Sequence, residues 1–126
     1  MAQVSVLHVE DDIRLDPERL GVLYYQLGEQ GAEDVVCRAM EELAVRLADV
    51  DARFRAQDWP GVARLSRGLV AIAEQVGMIG LSRVASDVNR SARSLDFPAI
   101  SATLARLGRI ADRSLTEVWD TQDLSV

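Results

Sequence analysis

The stretch from Arg64 to Val88, R-L-S-R-G-L-V-A-I-A-E-Q-V-G-M-I-G-L-S-R-V-A-S-D-V, constrains the fold more than any other part of the chain. Leu65, Leu69, Ile72 and Val76 recur at steps of four, three and four, which places them on one helical face. Gly77 falls where that pattern lapses, as expected of a residue closing a helix in the left-handed conformation. The apolar series resumes at Leu81, Val84, Ala85 and Val88. The spacing predicts one helix, a tight Gly77-Met78-Ile79-Gly80 turn, and a second helix returning beside the first.

The rest of the chain supplies partners for that hairpin. Asp16-Pro17-Glu18 is a helix start: Asp caps, Pro suits the first turn, and Glu complements the N-terminal dipole. Leu20, Leu23, Tyr24 and Leu27 then form one stripe, predicting a short helix over about 17–28 that ends around Gly28 and Gly31. From Ala32 to about Ala56 there is no Gly or Pro, and Val36, Met40, Leu43, Leu47, Val50 and Phe54 alternate steps of four and three. This predicts the longest helix. Asp58-Trp59-Pro60-Gly61-Val62 and Asp96-Phe97-Pro98-Ala99-Ile100 share one pattern, Asp–aromatic–Pro–small–β-branched. Each predicts a capped helix start whose aromatic closes the bundle end. The last helix runs from about Phe97 to Trp119 on Ile100, Leu104, Leu107, Ala111 (or Ile110) and Val118. The fold class is all-α: an up-down four-helix bundle over 16–119, preceded by a short N-terminal helix. Residues 1–15 form an extension and 120–126 a frayed tail.

Composition narrows the chemistry. All 14 basic residues are arginine, so every mechanism that requires lysine is removed. Residues 1–52 hold 12 acidic residues against 4 arginines, whereas residues 53–126 hold 8 against 10. The overall charge of −6 disfavours nucleic acid, whose affinity rests on phosphate neutralisation. The less acidic half carries Arg64, Arg67, Arg83 and Arg90, which suit either an acidic protein partner or solvated helix faces. The single Cys37 excludes an internal disulfide, and no Glu-x-x-His pair suggests a bundle metal site. No metal or cofactor is expected. No apolar run approaches a membrane span and the N-terminus lacks a signal-like pattern, so no membrane association and a cytoplasmic location are expected.

With its glycine placed on Gly77, the hairpin resembles the histidine phosphotransfer (HPt) domain family of bacterial phosphorelays. Leu69, Val76, Leu81 and Ala85 land on family-like positions, and helix order and the short first helix agree with that layout over about residues 13–119. The family's histidine position then falls on Arg67, its lysine position on Val70 and its motif glycine on Ala71. A rival register puts Arg64 on the histidine, Arg67 on the lysine and Gly68 on the glycine, but leaves Gly77 three residues too late for the turn. Neither register supplies a histidine. Residues 4–12 contain V-L-H-V-E-D-D, which is similar to the first strand of a response-regulator receiver; without a lysine, a receiver is excluded.

The resemblance implies phosphoryl transfer through an exposed imidazole, and the residues here do not permit it. Guanidinium stays protonated and offers no nucleophilic lone pair, so Arg67 does not replace the histidine. Val70 lacks the lysine's charge, while Ala71 keeps the surface low at the glycine position. What the resemblance leaves is docking: an arginine presented to the acidic pocket of a receiver domain, or to a histidine kinase, without passing phosphate. The candidate docking residues are Arg64, Arg67, Val70, Ala71 and Gly77, and no catalytic residue is expected. Two alternatives stay open: a bundle that works by homo-oligomerising, and phosphotransfer through a non-standard residue such as His8. Arg67 also reads as an ordinary exposed arginine on a fold whose function lies elsewhere.

Overall fold

Three Asp residues start three of the helices, each by accepting a backbone N–H that the first helical turn leaves unpaired. The computed structural model describes the backbone of residues 15–124 and the side chains of residues 15–114 and 116. Helix α1 spans Pro17–Arg55, α2 Trp59–Gln75, α3 Ile79–Arg93 and α4 Phe97–Leu124. The Asp16 carboxylate accepts from the Glu18 amide at 3.0 Å, that of Asp58 from Gly61 at 3.0 Å, and that of Asp96 from Ala99 at 3.2 Å.

The expected short first helix and the long helix after it form one helical run, broken only at Gly28. There φ is 76° and ψ 173°, a backbone conformation that is essentially glycine's alone. The break therefore occupies one residue instead of a connection through Gly31. Two further boundaries differ. Helix α4 continues past Trp119 to Leu124, so the backbone expected to fray there is helical. The N-terminal extension expected over residues 1–15 lies outside the described residues except for Leu15, which forms an antiparallel bridge with Met78.

Three-residue connections make consecutive helices antiparallel neighbours. The side-chain contacts agree. Asn89 reaches Ala63 and Ser82 reaches Glu74, so position falls on α2 as it rises on α3. Helix α1 packs on α2, α2 on α3 and α3 on α4, while α1 and α4 touch only sparsely, with a groove of about 420 Å³ between Leu47 and Leu104. The core lies where the stripes meet: Val36, Leu43, Val50, Leu69, Leu81, Val88, Ile100 and Leu107 are all essentially inaccessible. At one end Trp59 sits between Phe54, 5.8 Å away edge-on, and Phe97, 5.3 Å away, closing the bundle as the repeated Asp–aromatic–Pro pattern predicts. At the other end Gly77 takes φ 76° and its carbonyl accepts the Asp16 amide at 2.8 Å.

Candidate functional site

At the middle of the α2–α3 seam the Asn89 Nδ2 donates to the Ala63 carbonyl at 2.7 Å. Around it lies an open groove of about 690 Å³. Arg64, Arg67 and Val70 form its α2 wall, at steps of three that keep them on one side of the helix. Ser86, Asn89 and Arg93 form its α3 wall, spaced three and four apart. Because the helices are antiparallel, Arg67 stands level with Ser86, Arg64 near Asn89, and Arg93 opposite Pro60 at the mouth. The arginines are thus strung along about 10 Å of groove at 1.5 Å per helical residue.

The charge of this groove is of one sign. Among the described residues, none that lines it is a carboxylate. Two other grooves carry both signs, one with Arg38, Glu41, Glu42 and Asp49 on α1, the other with Asp51, Arg109 and Asp112 between α1 and α4. Among the described residues, ion pairs join Arg53 to Asp58, Arg55 to Asp51 and Arg90 to Asp87. None involves Arg64, Arg67 or Arg93. A chain with 20 acidic residues and 14 arginines therefore gathers three guanidinium groups, with no ion-pair partner among the described residues, in one concavity walled partly by Pro60, Ala63 and Val70. Low-dielectric walls focus such a field on whatever enters.

The five residues singled out from the sequence separate here. Arg64, Arg67 and Val70 come together on the groove wall, with Val70 half-buried and both arginines exposed. Ala71 is exposed beside Val70 and does not line the groove. Gly77 lies about 15 Å from Arg67 along α2 and is buried. A Cβ on it would meet the Asp16 carbonyl oxygen at 2.9 Å, so its role is to admit the chain entering α1. Gly68, the glycine of the rival register, is covered by the Arg46 guanidinium, 2.9 Å from where its Cβ would stand.

Sequence reasoning missed Arg93. Arg90, which the sequence names with Arg64, Arg67 and Arg83 as suiting either an acidic partner or a solvated face, has its guanidinium 3.5 Å from Asp87 on its own helix. The available signal was position: Arg93 lies one turn beyond Asn89, on the groove-facing side of α3. Arg83 is exposed but does not line the groove. Cys37 is a half-buried free thiol, and His8 lies outside the described residues. Among the described residues no cluster of three or more His, Cys, Asp or Glu side chains could hold a metal, and no helix is long and apolar enough to cross a membrane. Compared with known proteins, the chain matches no family model, no curated protein and no solved structure.

Proposed function

We propose that this chain is an HPt-like adaptor of phosphorelay signalling, which docks on an acidic receiver pocket or a histidine kinase through the α2–α3 groove without carrying phosphate itself. The observation that carries this reading is the clustering of Arg64, Arg67 and Arg93 with no carboxylate among the described lining residues, at the level where the resemblance puts the missing histidine. Planar guanidinium forks pair with carboxylates in bidentate fashion, and three of them in one groove are complementary in sign to an acidic pocket. The chemistry of the same position argues against transfer through an imidazole-like group, since the Arg67 guanidinium offers no nucleophilic lone pair. The helical hairpin, the positive φ at Gly77 and the one-residue break after the first short helical arm support the HPt-like layout.

The test is titration of the protein with receiver domains from its own organism, using wild type, Arg67→Ala and Arg67→Glu. Binding should weaken in the order wild type, alanine, glutamate, with a salt dependence that diminishes in the same order. Equal binding by all three proteins, or no receiver bound by any, would overturn the docking reading.

A further inference from the structure

The arginines of the α2–α3 groove are spaced along it with the period of a helix. Arg67 and Arg64 stand three residues apart on α2, about 4.5 Å along its axis at 1.5 Å per residue. Arg93, opposite Pro60 on the other wall, lies about 6 Å further on, the rise of four residues. Carboxylates at i, i+3 and i+7 of an α-helix rise by the same two steps and share one face. An extended strand spaces its same-face residues about 6.6 Å apart, so three of them span about 13 Å and overrun the arginines. Between the walls the floor is low and partly apolar, with Ala63 and Val70 both half-buried.

We infer that this groove receives an acidic amphipathic helix of a partner, lying along the α2–α3 seam with carboxylates at i, i+3 and i+7 against Arg67, Arg64 and Arg93. A helix laid into the seam of two others is a common mode of recognition, and its ridge of side chains fills the groove between them. Sign selects the occupant. No described lining residue is a carboxylate, and the three arginines have no ion-pair partner among the described residues, so an acidic helix enters without displacing an existing pair. An apolar helix would cover three guanidinium groups and pair none of them, at a cost in free energy. The inference rests on the reading of this groove as a docking surface, and names the element that a partner of any identity brings to it.

Two synthetic peptides test it on the full chain. Each is about 15 residues long, too short to hold a helix unaided, and is therefore stapled into one. One carries three glutamates at i, i+3 and i+7; the other has the same composition with its glutamates dispersed around the helix. Amide shifts of the protein are followed as each is added. The matched peptide should shift Arg67, Ser86 and Asn89 and leave Glu42 and Arg109 unmoved. It should bind about tenfold more tightly than the dispersed one, since an exposed ion pair contributes about two- to fivefold. Salt at ~1 M, where the screening length falls to about 3 Å, should release it. Arg93→Ala removes an exposed side chain and should weaken the matched peptide by about two- to fivefold while leaving the dispersed one unchanged. Equal binding of the two peptides, shifts outside the groove, binding by neither, or an equally strong response to inorganic diphosphate would each overturn the inference. A receiver that binds when the matched peptide does not leaves the docking reading standing and the helix rejected. The matched peptide binding where no receiver does gives the reverse.

Discussion

The Asn89 side chain reaches across to α2 and donates its amide to the Ala63 carbonyl at 2.7 Å, tying the two walls of the arginine groove together at its middle. The same carbonyl accepts the Ser66 hydroxyl at 3.1 Å, so it keeps a side-chain partner when Asn89 is removed. Asn89→Ala should therefore cost only about 1 kcal/mol, the net value of one hydrogen bond. A urea titration should show this as a lower midpoint at unchanged slope.

Gly77→Ala should cost more for its size. The residue has φ 76°, where an L side chain is strained by roughly 1–2 kcal/mol. The added Cβ would also stand 2.9 Å from the Asp16 carbonyl oxygen, a backbone atom held in place by the Leu15–Met78 bridge. Expected is a loss of about 2–3 kcal/mol in thermal or urea unfolding, with faster amide exchange at Asp16.

Core and surface apolar residues should respond differently to truncation. Leu81 is fully buried where α3 meets its neighbours, and Leu81→Ala should cost about 2–5 kcal/mol through lost transfer energy and a residual cavity. Val45 is 62 % exposed on α1, and Val45→Ala should stay within about 0.5 kcal/mol of wild type. Equal effects in denaturant titrations would contradict the packing described here.

Tyr24 gives a pH dependence of defined sign. Burial raises its phenol above the ordinary 10.0, and the Glu33 and Glu29 carboxylates across the Gly28 break push in the same direction, with a smaller contribution from Cys37. The fold therefore favours the neutral phenol. Its contribution is complete below the unfolded value of 10.0 and is lost as pH climbs through the raised folded value. Thermal melts from pH 8 to 11 should decline less steeply for Tyr24→Phe than for wild type.

The helices were legible from the sequence because their determinants are local. Asp16, Asp58 and Asp96 each sit one or two residues before a proline, and each caps the helix expected of it. The apolar stripes through Leu43, Leu69, Val84 and Ile100 became the core, since burying such a face is what stabilises a helix of ordinary propensity. The left-handed Gly77 was legible for the same reason: the pattern lapses there and only one residue type suits the conformation.

The tertiary structure decided what depends on neighbours distant in sequence. Whether Gly28 to Gly31 is a loop or a one-residue break depends on where the first arm docks, and Asp16 against Gly77 and Arg19 Nε donating to the Gln75 carbonyl fix that. The groove's membership depends on the α2–α3 register. That register brings Arg93 to the mouth, while Arg90 pairs with Asp87 and Gly77 is buried beneath Asp16. A sequence names which arginines a chain carries. Which of them share one dielectric environment without a carboxylate is settled only when two helices pack, because charge acts through space and periodicity describes one helix at a time.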